Sequence, residues 1–204
     1  MEKIKNIIFD LGGVFIDIDF KATENAFVAL GVKDFNDYYT QHTASTLFED
    51  LEIGKVGAEE FYERFRSETG VNASDDEIKN AWNAMLGRFP VERLNWLEEI
   101  GFRYKIYLFS NTNIIHYDAF QKIYQECTGK SNFDDYFIKA HYSHDLGVRK
   151  PYPEAFKKLL AVEKLNAEET LFIDDSYKNI EGAKEAGLHT ILLLPPKTVL
   201  DLDL

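Results

Sequence analysis

Four segments carry residue types that together suit a phosphate-like anion. Ile7-Ile8-Phe9 is a short apolar run that ends in Asp10 and passes into Leu11-Gly12-Gly13-Val14. A carboxylate at the carboxyl end of a first strand stands where α/β sheets bind ligands. Paired glycines let backbone approach a bound group and turn tightly. Phe109 is followed by Ser110-Asn111-Thr112-Asn113. A small hydroxyl beside backbone N–H groups, just ahead of a helix, either holds an anion or caps the helix. Lys150 sits in Arg149-Lys150-Pro151-Tyr152-Pro153. The prolines stiffen that stretch, and a lysine held this way is a fixed point charge for phosphate. Arg149 beside it reads as a solvent or loop contact. Finally, Phe172-Ile173 runs into Asp174-Asp175. Crowding two acids is costly. A hard cation offsets the cost, and Mg²⁺ takes one or two carboxylates, waters and phosphate oxygens at roughly 2.0–2.1 Å. The other reading is that Asp174 supports neighbouring loops and Asp175 caps the next helix.

These residues need a scaffold. Five apolar runs read as strands of a mostly parallel, buried sheet: Ile4–Phe9, Tyr104–Phe109, Tyr136–Ala140, Thr170–Ile173 and Thr190–Leu194. Leu94, Leu97 and Ile100 recur at helical spacing before the second run. Ala155, Phe156, Leu159 and Leu160 do so before the fourth. Ile180, Ala183 and Ala186 do so before the fifth, and Gly187 follows as a C-cap. Strand and helix alternating in this way predict a doubly wound, Rossmann-like α/β fold with right-handed crossovers.

The interval 17–88 departs from that alternation and shows no strand pattern. Gly31 ends a helix bearing Ala22, Ala26, Phe27 and Leu30. Phe61, Tyr62 and Phe65 mark another, closed by Gly70. Ser74 and Glu77 form a capping-box pair ahead of Ile78, Ala81, Trp82 and Met85. The expectation is an all-helical insert over the strand ends, a cap of residues 17–88 on an α/β core of residues 1–16 and 89–204. The aromatics of the insert read mainly as its own core. Glu52-x-Gly54 marks a cap loop near the site. Asp17 and Asp19 read as cap or linker residues, and His116 and His141 as structural.

The bulk numbers exclude several partners. A net charge of −12 on 204 residues repels nucleic acid and anionic membranes. A hydrophobic share of 45% and a charged share of 28% suit a globular chain with a real core. Cys127 is the single cysteine, so neither an internal disulfide nor a multi-thiolate zinc site is available. Met1-Glu2-Lys3-Ile4-Lys5 breaks into charge too early for a signal peptide. No apolar run approaches the roughly 20 residues of a membrane span. A cytoplasmic protein is the simplest reading; oligomeric state is open.

In the order Asp10, Ser110-Asn111, Lys150-Pro151, Asp174-Asp175, the chain resembles the haloacid dehalogenase-like hydrolase superfamily. The likeness runs from residue 4 to about residue 194. Asp-Leu-Gly-Gly, Ser-Asn-Thr-Asn, Leu-Gly-Val-Arg-Lys-Pro and Phe-Ile-Asp-Asp are most similar to its sugar-phosphate phosphatase subgroup, the bacterial α-glucose-1-phosphate phosphatase-like proteins. The resemblance implies that Asp10 attacks phosphorus and forms an aspartyl-phosphate. It implies Mg²⁺ bound by Asp10, the Gly12 carbonyl and Asp175, with Asp174 acting directly or through water. Ser110, the Asn111 amide and Lys150 would hold the phosphoryl oxygens of a small phosphorylated metabolite.

One position departs from the superfamily pattern. Most of its phosphatases carry a second aspartate two residues after the nucleophile, as general acid. Here that position is Gly12, as it also is in the subgroup. Two further functions therefore stand beside the phosphatase. One is a metal-independent 2-haloacid dehalogenase, against which the adjacent acids argue. The other is a phosphate-ligand-binding protein with little turnover.

Overall fold

The computed structural model describes residues 3–41 and 43–204. Its elements run β1 (Asn6–Phe9), α1 (Phe20–Ala29), β2 (Tyr39–Thr40), β3 (Thr43–Ala44), α2 (Thr46–Glu52), α3 (Ala58–Thr69), α4 (Asp75–Asn83), α5 (Val91–Gly101), β4 (Lys105–Ser110), α6 (Ile114–Thr128), β5 (Lys139–Tyr142), α7 (Ser143–Leu146), α8 (Pro153–Glu163), β6 (Thr170–Asp174), α9 (Tyr177–Glu185) and β7 (His189–Leu192). Strands β5-β4-β1-β6-β7 form one parallel sheet. The chain leaves β1 to one side for β4 and β5, then returns to the other side for β6 and β7. The point of reversal is the crevice where such sheets bind ligands. This is the doubly wound α/β architecture.

Alternation along the strands sorts residues onto two faces. Ile7, Phe9, Ile106, Leu108, Leu171 and Ile173 enter one buried cluster with Leu94, Leu97 and Phe120 of α5 and α6. Ile8, Tyr107, Phe109 and Phe172 enter another with Phe156, Leu159 and Ile180 of α8 and α9. Each fully buried side chain of this size contributes roughly 1.5–3 kcal/mol. Phe9 pairs in register with both Leu108 and Ile173, so the central strands end level. At Gly182 the two halves meet closely: a Cβ there would overlap the Pro151 carbonyl, pinning α9 against the Lys150 segment.

Residues 17–88 build a third cluster. Phe27, Phe35, Phe48, Phe61, Phe65 and Trp82 pack there, and Ile115 of α6 reaches into it. Phe27 stacks on Phe35 at 4.5 Å between ring centroids. Ser74 and Glu77 close the capping box on α4, and Gly70 ends α3 in the left-handed region. The expectation of an all-helical insert needs correction. β2 and β3 pair antiparallel as a small ribbon; two residues per strand are too few to show alternation. The helix α2 was not expected either: seven residues are too few for a sustained helical period, and its N-cap residue Ser45 makes no side-chain cap bond. The two linkers join the core side by side. Asp17 N–H donates to Arg88 O (3.0 Å), Gly87 N–H to Asp17 O (2.8 Å), and Ile18 bridges Leu86 antiparallel.

The third strand of the sequence reading is displaced. It was expected at Tyr136–Ala140 and forms at Lys139–Tyr142. Asn132 caps a 3₁₀ turn over Phe133–Tyr136, and Phe133 is taken into the core. No helix among the described residues is long and apolar enough to cross a membrane.

Candidate active site

Three neighbouring strands deliver the site. Asp10 follows β1 at the centre of the sheet, its N–H donating to Ile173 O at 2.9 Å. Ser110 ends β4 on one side, and Asp174 ends β6 on the other. Level strand ends bring the Asp10, Asp174 and Asp175 carboxylates within 4.8 Å of one another. Gly13 makes room for this: its φ is +70°, and a Cβ there would overlap the Asp175 carboxylate.

Lys150 is driven into the middle of that charge. Its Nζ donates to Asp10 Oδ1 and to Asp174 Oδ2, both at 2.7 Å. The side chain is 1% exposed and rests over the Phe109 and Phe172 rings, at 5.6 and 5.3 Å. Burial alone would lower its pKa; the two aspartates outweigh burial, and the lysine stays above its usual value. Asn111 fixes the segment. Its Nδ2 donates to Lys150 O (2.8 Å), and its Oδ1 accepts from Lys150 N–H (2.9 Å). A side-chain amide thus completes what a strand pairing would otherwise supply.

Asp174 and Asp175 differ in surroundings. Asp174 is fully buried, and both oxygens are engaged. Oδ1 accepts from Ser176 N–H at 2.7 Å, and Asn179 Nδ2 reaches both oxygens at 3.0 Å. The N-cap residue of α9 is Ser176, not Asp175 as the alternative reading had it, and the Ser176 N–H is held by Asp174. Asp175 borders the cavity, where Gln41 Nε2 from the cap donates to its Oδ2 at 3.4 Å. Burial, followed by repulsion from Asp174, raises the Asp175 pKa to about 6. Burial raises Asp10 to about 7 against the pull of Lys150, with Asp174 and Asp175 adding to the rise. Three acids thus share the one cation Lys150, and the donors they offer are hard oxygens. That chemistry fits Mg²⁺.

A cavity of about 140 Å³ opens above these residues. The core lines it with Asp10, Gly12, Ser110, Asn111, Lys150 and Asp175. The cap lines the opposite side with Phe20, Tyr39, Thr40, Gln41, Glu52 and Met85. Arg149 corrects the expectation of a solvent or loop contact. Its Nη1 lies 2.6 Å from Glu49 Oε1 and its Nε 2.7 Å from Glu52 Oε2, so the core arginine grips cap helix α2. Glu52 also accepts from the Tyr39 hydroxyl at 3.0 Å. Burial raises the Tyr39 pKa well above normal, with Glu52 adding to the rise. Of the Glu52-x-Gly54 segment, Glu52 at the end of α2 borders the cavity, while Gly54 packs on α7, where a Cβ would overlap the His144 carbonyl.

The remaining sequence candidates have other duties. Phe48 and Trp82 are buried in the cap cluster. Asp17 pairs with Arg93 at 3.1 Å, and Asp19 caps α1. Asn113 caps α6, as the helix-capping reading of that segment has it. His141 pairs with Glu163 at 2.8 Å. His116 borders the cavity and ties core to cap, its ring stacked on Trp82 and its Nε2 3.1 Å from Trp82 O. Burial lowers its pKa to about 4, so the ring is neutral near pH 7 and Nε2–H is the donor. Sequence reasoning missed Asn179, Tyr39 and the Arg149 contacts. Asn179 lies in the first turn of α9 and turns back to Asp174, five positions earlier, a contact that no helical period announces.

The chain belongs to the haloacid dehalogenase-like hydrolase family, whose profile matches residues 4–187. It is 34% identical over 189 residues to D-ribitol-5-phosphate phosphatase of Bacteroides thetaiotaomicron, across 92% of this chain and 90% of that protein. Among solved structures, it is similar to a variant of a haloacid dehalogenase family enzyme from the same organism, in complex with magnesium and inorganic phosphate. That likeness has a TM-score of 0.88 and 32% identity, covering 95% of this chain and 96% of the other. A haloacid dehalogenase-like family hydrolase from Porphyromonas gingivalis superposes with a TM-score of 0.84 at 30% identity, over 93% and 91% of the two chains.

Proposed function

We propose that this protein is a Mg²⁺-dependent phosphoric monoester hydrolase acting on a small sugar-phosphate-like metabolite through an aspartyl-phosphate on Asp10. The observation that carries the reading is the clustering of Asp10, Asp174 and Asp175 at the ends of the adjacent strands β1 and β6, with Lys150 bonded to Asp10 and Asp174. Support also comes from the phosphatase matched along most of its length and from the relative that binds magnesium and inorganic phosphate.

Asp10 donates its free oxygen to phosphorus, and the bond from phosphorus to the leaving oxygen breaks. Water then hydrolyses the acyl phosphate and restores the carboxylate. Lys150, held by Asp174, presents a fixed positive charge to the phosphoryl oxygens. The Ser110 hydroxyl and the Asn111 amide serve the remaining ones. Asp10, the Gly12 carbonyl and Asp175 are the ligands assigned to the ion. Asp174, saturated by Lys150, Ser176 and Asn179, supports from behind. When bound, Mg²⁺ supplies charge that offsets repulsion between carboxylate and phosphoryl oxygens. Residues 17–88 act as the lid that excludes water. Gly12 offers no proton to the leaving group. Loss of a general acid costs roughly 10²–10⁴-fold, so turnover is expected to be slow.

The test is phosphate release from sugar phosphates and a generic aryl phosphate, with Mg²⁺, with chelator, and with Asp10→Asn. Release is expected in the first condition alone. Undiminished release from Asp10→Asn removes Asp10 as nucleophile. Halide released from 2-haloacids in the presence of chelator selects the dehalogenase instead.

A further inference from the structure

The cap side of the cavity has a distinctive charge. Among the described residues, its one charged member is Glu52. Tyr39, Thr40 and Gln41 add hydroxyls and an amide; Phe20 and Met85 add apolar surface. The cations bordering the cavity, Arg149, Lys150 and Lys178, all come from the core. Lys150 is committed to the acid trio, and Lys178 follows Asp175 by three positions on α9.

Arg149 is matched inside the protein. One guanidinium faces two carboxylates, Glu49 at 2.6 Å and Glu52 at 2.7 Å, which leaves this end of the cavity with excess negative charge. Glu52 is 2% exposed. Its Oε1 accepts from Tyr39, yet Oε2 receives no properly directed hydrogen bond, because the Arg149 Nε–H does not point at it. A carboxylate has about four acceptor sites. Acceptor capacity therefore remains on a buried carboxylate that borders the same cavity as Asp10.

Resting on the phosphatase reading, we propose that Glu52 determines specificity for the leaving group. Its carboxylate accepts a hydrogen bond from a hydroxyl on the substrate's carbon chain and turns away chains that end in a second anion. The preferred substrate is then the monophosphate of a neutral polyol or sugar. Bisphosphates and phosphorylated sugar acids are rejected by like charge at a site where the cap, among its described residues, brings no cation to the cavity. Tyr39 and Arg149 are positioning residues that hold the carboxylate in place.

The experiment compares four substrates with Mg²⁺: a pentitol monophosphate, the same chain oxidised to a terminal carboxylate, the same chain with a second terminal phosphate, and phenyl phosphate. The wild type is expected to favour the pentitol monophosphate over both anionic-tailed compounds by about tenfold or more in kcat/KM, mostly through KM. Glu52→Gln keeps an acceptor and removes the charge. It is expected to narrow that preference to about threefold or less, by lowering KM for the anionic-tailed pair. A merely structural role would move kcat for all four substrates together, and that pattern overturns the proposal. Should the variant fail to fold, the wild-type ratio decides: a ratio near one overturns the proposal. Phenyl phosphate hydrolysed with no preference among the other three sinks this inference alone. No phosphate from any substrate sinks the phosphatase reading and this inference with it.

Discussion

Arg149 and Lys150 are neighbours in the chain, and each stands between two carboxylates. Lys150 lies 2.7 Å from Asp10 and from Asp174, both supplied by the core sheet. Arg149 lies 2.6 and 2.7 Å from Glu49 and Glu52, both supplied by cap helix α2. The charge count is the same and the consequences differ. The lysine triad is closed within the α/β core, with two aromatic rings beneath it. The arginine triad joins the loop after α7 to helix α2, and Glu49 in it is more than a third exposed. The first arrangement fixes a charge; the second fastens a lid. A compact ammonium suits the deep site, and a forked guanidinium suits two partners on one helix.

The comparison breaks first at Lys150. Replacement by Met leaves Asp10 and Asp174 buried without their cation, which costs roughly 3–5 kcal/mol. The urea midpoint at pH 8 with chelator present is expected to fall accordingly, and phosphate release to vanish. An unmoved midpoint would mean that the triad contributes nothing to the fold.

Magnesium should act on one triad and leave the other alone. Asp10 and Asp175 have folded-state pKa values of about 7 and 6, above the unfolded value of 3.8. The folded protein keeps protons that the unfolded chain releases, so these groups make metal-free stability fall as pH rises from about 4 towards 7. Protons compete with the ion over the same range. Mg²⁺ at 100 times its Kd is expected to add about 2.7 kcal/mol at pH 8, and much less at pH 5. Melting curves at both pH values, with and without the ion, measure this. Equal gains would contradict the assignment of Asp10 and Asp175 as ligands.

Arg149→Met comes next. It strands Glu52 in a buried wall, at a cost of about 2 kcal/mol, and loosens α2 from the core. Hydrogen exchange on α2 is expected to speed up while amides of β1 and β6 keep their protection. Protection lost equally in both places would refute the separation of the two triads. Glu49→Gln is the smallest change, below about 1 kcal/mol because half-exposed pairs contribute little. A chemical-denaturation midpoint shifted by more than that would make Glu49 the anchor.

The members of the lysine triad stand out in the sequence although their ion pairing does not, and the arginine triad shows neither. Asp10, Ser110 and Asp174 each close an apolar run, so strand periodicity alone puts them at one edge of a sheet. Prolines on the far side of Lys150 announce a stiff segment. Arg149 gives no such notice, because Glu49 lies 100 positions away on a helix of only seven residues. The ribbon Tyr39–Thr40/Thr43–Ala44 was invisible for a similar reason, being shorter than any period. Core strands were legible because burial on both faces demands long apolar runs. The cap's cavity-facing residues answer to a ligand, and a ligand leaves no periodicity.

The side-by-side linkers at Asp17 and Gly87 have a lasting consequence. A lid that enters and leaves through one short ladder is a cassette. The sheet beneath keeps every rung whether that cassette is long, short or borrowed. Evolution can therefore trade one cover for another and retain the chemistry below it, so that the same floor serves many different rooms.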